Sequence, residues 1–319
     1  MKAILILADP IESLKPKTDT TLPIIAEFLK RNFELYYCDI ANENVELDSS
    51  EYLSSLHCSR ILSCTPNSSP FLRVDSVETH KASDFSIILN RKDPPVDNRY
   101  LKMLEHFEQV PQSILQVNHP RSVRLIPEHE YPLYYPEYSI PTVKCKDLRE
   151  LLAALQAHSG ESVVKPHNSA AGHGIKKFTP QINEDHLAQI YSNEAFPLIV
   201  QPFVSRIREL GDVRILSINS KIIGSILRRA AEGSWLSNLA QGGTAEPHTP
   251  TEKQLEAVNS LAPKLASQGV YLVGFDFIGD RISEINVTSP TCLVQINEFN
   301  NQKQETLIVD EILDLQKNL

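Results

Sequence analysis

The sequence predicts an α/β protein whose C-terminal half changes to α+β structure. In the first 120 residues, short apolar runs alternate with helical patterns, which is typical of a parallel sheet covered by helices on both faces. Near the C-terminus, two longer apolar runs flank a Gly-Asp-Arg turn and predict a β-hairpin. The chain has 319 residues, which is enough for two or three packed domains.

The first unit is expected to cover residues 1–120. Two of its loops, which begin at Asp9 and Asn90, follow predicted strands, and ligands bind at the carboxyl ends of parallel strands. We therefore expect both loops to open on one edge of the sheet. The polar, serine-rich stretch 42–83 is expected to form loops with little regular structure. Strands are predicted at residues 2–7, 34–38, 85–89 and 113–117, and a helix at residues 19–31.

Two further units are expected, a small lid-like module at residues 121–200 and a final unit at residues 201–319. The middle unit is predicted to contain strands 140–143, 162–165, 175–178 and 196–201 and helices 146–158 and 184–192. The final unit is predicted to contain strands 214–218, 222–228, 271–278 and 282–287 and helices 251–267 and 305–315.

The predicted hairpin 271–287 places three polar side chains on strands that are otherwise apolar. Asp276, Glu284 and Asn286 cost free energy there unless something pairs with them. A hard cation is the simplest partner, because carboxylate and amide oxygens suit Mg²⁺. The alternative is a hairpin whose polar groups hydrogen-bond only to neighbouring loops.

The length of the turn decides whether these side chains share a face. Glu284 and Asn286 lie two residues apart and therefore point to the same side. A three-residue loop pairs Ile278 with Ile282 and sets Asp276 opposite Glu284, whereas a two-residue Gly-Asp turn sends Asp276 to the other face. We expect the three-residue loop, with a bulge.

The composition argues against several classes of function. A net charge of −9 does not favour general binding to nucleic acids or to anionic membranes. No apolar run approaches the roughly 20 residues of a membrane helix, and the N-terminal MKAILILADP lacks the long core of a signal peptide. The five cysteines show no metal spacing and leave an odd thiol, so we expect a cytoplasmic protein with buried structural thiols.

Five motifs resemble, in the same order, those of bacterial glutathione synthetases, which belong to the ATP-grasp ligases. They are ADPIESLKPKTDTT (8–21), LNRKDPPVD (89–97), VNHPRSVR (117–124), NLAQGGTAEP (238–247) and the hairpin VGFDFIGDRISEINVTSPT (273–291). The resemblance runs along essentially the whole chain, and RKDPP and EINVTSPT are its most specific parts. It implies an ATP-grasp fold preceded by a Rossmann-like N-terminal domain.

The resemblance implies that ATP binds near the end of the predicted strand 162–165. Lys165 matches a phosphate-binding lysine, and the small-residue loop that follows it, which includes Gly172, could fold over nucleotide phosphates. The family prefers more glycine where this chain has Ser169-Ala170-Ala171, and alanine restricts how closely the backbone approaches a ligand.

A second nucleotide-binding lysine of the family is replaced by His129. Histidine is mostly neutral near pH 7 unless carboxylates raise its pKa, and the sequence neighbours Glu128 and Glu130 are candidates for that effect. The alternative is an exposed loop histidine. The loss of a permanent charge puts the affinity for the nucleotide, or its identity, in question.

Residues 198–204 resemble the linker that holds adenine through backbone hydrogen bonds, with contributions expected from Gln201, Phe203 and Val204. Pro202 lacks an N–H group, but only alternate backbone groups face the base. Asp212 matches the family position beside the ribose.

Two arginines and a glycine-rich loop match the family's reacting centre. Arg214 and Arg228 match arginines that face the phosphoryl and carboxylate groups; an ion pair with a structural carboxylate is the alternative for an inward-pointing arginine. Asn238, Gly242 and Gly243 resemble the loop that holds the acyl group, where glycine lets backbone N–H groups approach an acyl phosphate.

The acidic peptide substrate is expected near Arg91, because a guanidinium binds a carboxylate bidentately. Asp19 and Thr20 open a predicted helix and cap it by default; the resemblance adds a role in facing the substrate. Ser289 and Thr291, just past the metal strand, offer hydroxyl and backbone N–H groups to another carboxylate.

The activity implied by the resemblance joins γ-glutamylcysteine to glycine with ATP, through an acyl phosphate, to give glutathione, ADP and phosphate. Mg²⁺, with Mn²⁺ as the alternative, is the expected cofactor, and a homo-oligomer is expected. A sister ligase with another acid or amine is the second interpretation, because residues 232–237 around Trp235 depart from the family's more basic loop. A nucleotide- or peptide-binding protein with reduced catalysis is the third, because of His129 and the SAAG loop.

Overall fold

The computed structural model describes residues 3–40, 44–49, 53–125, 127–167, 172–192, 195–237, 239 and 242–319. The strands are β1 (Ala3–Ala8), β2 (Leu35–Asp39), β3 (Val45–Leu47), β4 (Leu53–Cys64), β5 (Leu72–His80), β6 (Phe85–Asn90), β7 (Leu115–Val117), β8 (Val143–Cys145), β9 (Ser162–Pro166), β10 (Lys176–Phe178), β11 (Leu198–Pro202), β12 (Asp212–Ile218), β13 (Lys221–Arg229), β14 (Thr244–Pro247), β15 (Leu272–Ile278) and β16 (Arg281–Asn286).

The helices alternate with these strands. They are α1 (Thr21–Lys30), α2 (Asn98–Phe107), α3 (Pro120–Leu125), α4 (Tyr131–Tyr134), α5 (Leu148–Ala157), α6 (Glu184–Ile190), α7 (Ile207–Leu210), α8 (Glu252–Ser267), α9 (Leu293–Asn300) and α10 (Glu305–Lys317). Short 3-10 helices lie at Ile11–Ser13, Ala82–Asp84 and Glu128–Glu130. Among the residues that the structure describes, no helix combines the length and apolar composition that a membrane crossing needs.

The centre of the first sheet is parallel, as the sequence predicts. β1 pairs in parallel with β2 and β6, and β6 pairs in parallel with β7. The loops after β1 and β6 meet at one edge: Lys92 Nζ lies 2.7 Å from Asp9 Oδ1, and the Asp93 N–H donates to Asp9 Oδ2 at 2.7 Å. The expectation that both loops open on one edge is confirmed.

The prediction of irregular loops at residues 42–83 was wrong. Within the described part of that stretch, β4 and β5 form an antiparallel hairpin, and β3 pairs with the start of β4. β4 carries the buried Leu56 and Cys58, which belong to one apolar cluster, and Ile61, which belongs to another. Most of β5 is exposed, so its position depends on backbone pairing with β4, and a hydrophobic pattern could not reveal it.

The second sheet is antiparallel, in the order β10-β9-β11-β8. The strand β8, which comes first in the chain, covers Val143–Cys145 and not the predicted 140–143. Pro141 has no N–H group for a strand ladder. The N–H of Ile140 instead donates to the carbonyl of Ile282 at 2.9 Å, which links this segment to β16.

The third sheet is antiparallel, in the order β14-β13-β12-β15-β16. Asp276 lies opposite Glu284, as predicted, but the turn was predicted wrongly. Ile278 pairs with Arg281, so the turn has two residues. The register shifts after Asp276 because Ser283 is an extra, bulged residue of β16. The bulge, and not a longer loop, restores the shared face.

The first and third sheets share an apolar core with α1, α9 and α10. Ile4 and Ile87 of the first sheet, Leu216 and Ile223 of the third sheet, and Leu293 and Ile308 of the helices belong to it. The elements predicted from the sequence do not include α9 or α2. For α2 two signals were present: Asp97 caps the helix by accepting the N–H of Tyr100 at 2.9 Å, and Tyr100, Leu104 and Phe107 are buried at helical spacing.

Asn118, directly after β7, joins the first sheet to the β15–β16 hairpin. Its amide nitrogen donates to the carbonyls of Leu272 (2.7 Å) and Val287 (2.8 Å), and its amide oxygen accepts the N–H groups of Tyr271 and Leu272 at 2.8 Å each. The side chain is 4% exposed. Four hydrogen bonds from one buried amide therefore fix these two sheets to each other.

Candidate active site

A cleft between the second and third sheets collects eight of the residues singled out in the sequence. They are Lys165, Gly172, Gln201, Phe203, Val204, Asp212, Asp276 and Glu284. They come from β9 and β11 on one side and from β12, β15 and β16 on the other. Two antiparallel sheets that face each other thus bring together residues more than 100 positions apart in the chain.

Asp276 is buried and surrounded by donors. Arg214 binds it bidentately, with Nε 2.8 Å from Oδ1 and Nη2 2.7 Å from Oδ2. Arg228 Nη2 lies 2.7 Å from the same Oδ2, and the Asn286 amide nitrogen donates to that oxygen at 3.0 Å. Burial opposes the charge of Arg214, but Asp276 raises the pKa of Arg214 above its usual value. The ion pair foreseen as the alternative for these arginines is therefore present, with Asp276 as the carboxylate.

Glu284 lies beside His129 and Lys165. His129 Nε2 is 3.1 Å from Glu284 Oε2, and Lys165 Nζ is 3.9 Å from it. Burial acts to raise the pKa of Glu284, but the hydrogen bond from His129 and the nearby positive charges hold this pKa well below its usual value. The Glu284 side chain is 20% exposed, against 2% for Asp276, so a ligand in the cleft reaches Glu284 more easily.

His129 is buried, and the interpretation as an exposed loop residue was wrong. Its Nδ1 lies 2.7 Å from the carbonyl oxygen of Pro166, and its ring is 2% exposed. The carboxylate beside it is Glu284 and not the expected Glu128 or Glu130. The identity of that neighbour depends on the folding of β16 against the 3-10 helix, which the local sequence does not encode.

Glu128 and Glu130 have other partners. Glu128 Oε1 accepts the N–H groups of Val287 and Thr288 at 2.7 Å each, just beyond β16. Glu130 Oε1 lies 2.7 Å from Lys144 Nζ. Burial raises the pKa of Glu128 to about 7, although its backbone hydrogen bonds act in the opposite direction.

The predicted metal ligands fit a divalent cation by their donor chemistry. Asp276 and Glu284 are opposite each other, and Asn286 lies two residues from Glu284 on β16. Among the described residues there is no cluster of three or more His, Cys, Asp or Glu side chains that would bind a metal, so this set depends on the amide oxygen of Asn286. That amide now presents its nitrogen to Asp276, and a half-turn of the group is needed to present its oxygen.

The glycine before β12 positions Asp212 in the cleft. Gly211 has φ +69°, and an added Cβ would lie 2.5 Å from Leu227 Cδ1 and 2.9 Å from the Arg228 carbonyl oxygen. Asp212 Oδ2 lies 2.7 Å from Arg228 Nη2, whereas Oδ1 is buried and makes no hydrogen bond within the described residues. Burial raises the pKa of Asp212 to about 6, and Arg228 acts in the opposite direction.

Residues 198–204, which were expected to bind adenine through backbone groups, use some of those groups within the protein. The N–H of Phe203 donates to the carbonyl of Glu161 at 2.9 Å and is therefore used within the protein. The Gln201 side chain donates to the Ser283 carbonyl at 3.1 Å, across the cleft. The sequence analysis did not place Trp235 here, but it lines the same cleft and its ring contacts Phe203.

A second cluster surrounds Arg91, at the junction of the first and third sheets. Its Nε donates to Thr21 Oγ1 and its Nη2 to the Pro290 carbonyl, both at 3.1 Å, while Nη1 is buried without a partner within the described part of the chain. Burial lowers the pKa of Arg91, and the charges of Asp19 and Asp93 act in the opposite direction. A buried guanidinium with one unused donor is a site for an anion.

The other predicted substrate residues adjoin this cluster. Asp19 Oδ1 accepts the N–H groups of Thr21 (2.6 Å) and Leu22 (3.1 Å) and so caps α1, and Thr20 Oγ1 accepts the N–H of Leu293 at 3.3 Å. Ser289 Oγ donates to the Arg91 carbonyl at 3.2 Å. Thr291 connects the two clusters, because its Oγ1 accepts Arg214 Nη1 at 3.3 Å.

The glycine-rich loop is described only in part. Gly242 has φ +88° and its N–H donates to the Leu239 carbonyl at 3.2 Å; Gly243 precedes β14. Neither glycine is among the residues that line the cleft. Asn238 lies outside the described residues, as do three residues of the Ser169–Gly172 loop, which leaves Gly172 at the cleft.

The fold is that of ATP-grasp proteins. The solved structure of the D-cycloserine synthetase DcsG matches with a TM-score of 0.69 at 15% identity, and covers 97% of this chain and 100% of its own. The RimK domain protein ATP-grasp from Sphaerobacter thermophilus DSM 20745 matches with a TM-score of 0.62 at 15% identity over 98% and 99% of the two chains. At these identities the likeness shows the fold alone. Fold and cleft together place the protein in the ATP-grasp class.

Within that class, the sequence belongs to the prokaryotic glutathione synthetase family. The family's N-terminal domain profile matches residues 1–124, and its ATP-grasp domain profile matches residues 128–301. A glutathione synthetase from Prochlorococcus marinus subsp. pastoris (strain CCMP1986 / NIES-2087 / MED4) is 30% identical over 317 residues, which is 98% of this chain and 99% of the relative.

Proposed function

We propose that this protein is an ADP-forming ligase that joins γ-glutamylcysteine to glycine and forms glutathione. Family membership along nearly the whole chain supports this activity. The observation that carries it is the cleft, where Lys165, His129 and the carboxylate Glu284 lie together with apolar side chains such as Val163 and Ile175. This combination suits a nucleotide, whose phosphates are charged and whose base is apolar and flat.

ATP is bound with its phosphates towards Lys165 and its base towards Val204. Lys165 is 7% exposed, and its Nζ makes two long contacts, 3.4 Å to the Ser283 carbonyl and 3.9 Å to Glu284 Oε2, so its charge can also bind a phosphate. His129 approaches the same Glu284 oxygen, and in this proposal it takes the part of the family lysine. Gln201, Phe203 and Gly172 complete this side, and Asp212 offers its unpaired Oδ1 to a ribose hydroxyl.

Mg²⁺ is the proposed metal, with Mn²⁺ as the alternative, and Asp276, Glu284 and Asn286 are its proposed protein ligands. When bound, such a cation neutralises the oxygens of the transferring phosphoryl group and orients them. Asp276 already has four close donors, so Arg214 or Arg228 must turn partly away as the ligands assemble. Those arginines are then free to face substrate oxygens.

The chemistry consists of two displacements. A carboxylate oxygen of γ-glutamylcysteine attacks the γ-phosphorus of ATP, and the bond from that phosphorus to the β-phosphate oxygen breaks. The products are ADP and an acyl phosphate. The glycine amine then attacks the acyl carbon, inorganic phosphate leaves, and the amine loses a proton. Arg228, whose buried Nε is unpaired among the described residues, and Arg214 stabilise the developing negative charge. No protein nucleophile is needed.

The acid substrate is proposed to bind through the Arg91 cluster. Arg91 Nη1 takes a carboxylate, and Ser289 and Thr291 supply hydroxyls on the path from Arg91 to Arg214. Thr20 and Asp19 shape the wall of this pocket. Gly242, Gly243 and Asn238 are proposed to close over the acyl group.

Three features of the whole molecule belong to the same proposal. The units are residues 1–120, 121–200 and 201–319, each built around one of the three sheets. The protein is a cytoplasmic homo-oligomer acting on small molecules. Its five cysteines are free, four of them are buried, and burial raises the pKa of the Cys38, Cys58, Cys64 and Cys145 thiols, so they are unreactive structural residues.

The test is phosphate release from ATP and Mg²⁺ with γ-glutamylcysteine, measured with and without glycine, with the product identified by mass. Glycine-dependent release together with glutathione supports the proposal. ADP binding without any release would instead favour a sister ligase, and a screen of other acids and amines would follow.

A further inference from the structure

Trp235 is the only tryptophan of the chain, and the structure places it in the nucleotide cleft. The sequence of residues 232–237 departs from the family's loop and could alter which acceptor amine is admitted. The Trp235 ring instead contacts Phe203, with 5.5 Å between ring centroids and an interplanar angle of 86°. Phe203 follows β11 directly, so Trp235 lies against the proposed adenine linker.

The cleft is lined by both charged and apolar side chains. Lys165, Asp276 and Glu284 are among the charged ones, where phosphates and metal are proposed to bind. Val163, Ile175 and Ile207 line the cleft with Phe203 and form its apolar part. Because Trp235 contacts Phe203, its ring belongs to the apolar part, which suits the face of a flat base.

We propose that Trp235 forms a wall of the purine-base site and contributes to nucleotide affinity, and that it does not select the acceptor amine. This inference rests on the proposed function, since it requires a nucleotide in this cleft. Indole rings bind the π-faces of bases, and each such contact contributes substantially to affinity. Phe203 supports Trp235 from the side, and Lys177 lies over the Phe203 ring, 4.4 Å from its centroid.

A second observation on the same segment points to a ligand. The hydroxyl of Ser237 lines the cleft, its residue is 3% exposed, and it makes no hydrogen bond with any described residue. A buried hydroxyl without a partner costs free energy, and a bound nucleotide is the group that would satisfy it. The segment therefore faces the bound nucleotide at two positions, one aromatic and one polar.

The first experiment follows the tryptophan emission of the unaltered protein during titration with ADP, adenosine and tripolyphosphate. Since the chain has a single tryptophan, the whole signal reports on Trp235. ADP and adenosine are expected to change the emission saturably, and tripolyphosphate is expected to leave it unchanged. An equal response to tripolyphosphate, or none to ADP and adenosine, would overturn the proposal.

The second experiment measures ADP binding by calorimetry for Trp235→Ala, Trp235→Phe and the control Tyr134→Ala. Tyr134 is an exposed aromatic residue of α4 outside the cleft. We expect binding weakened about tenfold or more in Trp235→Ala, by a smaller factor in Trp235→Phe, and not at all in the control. If Trp235→Ala leaves the Kd for ADP unchanged and raises the KM for glycine, Trp235 acts on the acceptor amine, and the proposal is overturned.

The two proposals fail in different ways. If the unaltered protein binds ADP and Trp235→Ala binds it equally well, the nucleotide site stands and the role of Trp235 is refuted. If the unaltered protein binds no ADP, both the proposed function and the role of Trp235 are refuted. The emission titration needs no variant, so a misfolded Trp235→Ala does not prevent a decision.

Discussion

The two charged regions of the site differ in how their buried charges are compensated. Around Asp276, the buried charges compensate each other, because the guanidinium groups of Arg214 and Arg228 both bind this carboxylate. Around Arg91, the guanidinium has neutral partners and one unused donor, and no ion pair to it is found within the described residues.

This difference indicates two modes of ligand binding. In the Asp276 region, a ligand must exchange existing ion pairs for new ones, so the free protein is already stable there. In the Arg91 region, an anion adds a hydrogen-bond partner to Nη1, and the free protein carries the cost of that unsatisfied donor. Substitutions that remove one charge should therefore have opposite effects on stability in the two regions.

The largest effect is expected from Asp276→Asn. Removing this carboxylate leaves Arg214 buried without its ion-pair partner, which typically costs about 3–5 kcal/mol in the free energy of unfolding. Denaturant unfolding would measure it, with Asp314→Asn, an exposed carboxylate of α10, as the control. Stability equal to that of the control would contradict the comparison.

Glu284→Gln is expected to abolish most activity while the fold is retained. The Glu284 carboxylate is ionised, partly exposed and a proposed metal ligand, and its loss should lower kcat by about 100-fold or more. Glycine-dependent phosphate release and circular dichroism give the two readouts, and Glu246→Gln on the exposed strand β14 is the matched control. Near-normal turnover would sink the metal assignment.

Glu128 should make the free energy of unfolding depend on pH. Its folded-state pKa, about 7, lies above the ordinary value of 4.5, so the folded protein binds the proton more tightly than the unfolded chain. Its contribution is present below pH 4.5 and is lost as pH rises to about 7, by an amount on the order of 2–3 kcal/mol.

Glu128→Gln keeps an acceptor for Val287 and Thr288 but cannot titrate. The variant's stability relative to the unaltered protein should therefore rise as pH increases from 4.5 to 7, as measured by urea unfolding at several pH values. A constant difference across that range would show that Glu128 is ionised throughout.

The smallest effect on stability is expected from Arg91→Met. No ion pair is broken, and the unsatisfied Nη1 is removed, so the melting temperature should stay the same or rise. The KM for γ-glutamylcysteine should increase by roughly tenfold, because the charged Nη1 contact to the substrate carboxylate is lost. Arg149→Met, at an exposed position of α5, is the control. A fall in stability as large as that of Asp276→Asn would remove the distinction between the regions.

The sequence was sufficient where chemistry and periodicity coincide. The polar residues on the apolar strands β15 and β16 predict the opposition of Asp276 and Glu284, and the structure confirms it. The predicted cause of this register was wrong, because a bulge at Ser283 sets it and not a three-residue loop. Bulges carry no strong local signal in sequence.

The remaining errors arise from contacts between distant segments. β5 is almost fully exposed, and only pairing with β4 defines it. The partner of His129 is Glu284, 155 positions away, so its sequence neighbours could not reveal it. The contact of Trp235 with Phe203, 32 positions away, is likewise invisible in the local sequence.

The Asn118 contact has a consequence for how the cleft opens. Because one asparagine binds backbone groups at both strands of the β15–β16 hairpin, we expect the first and third sheets to act as one base. Polar contacts from the second sheet to that base include those from Lys165 and Gln201 to the Ser283 carbonyl. The width of the cleft is therefore expected to depend on where the second sheet lies relative to that base.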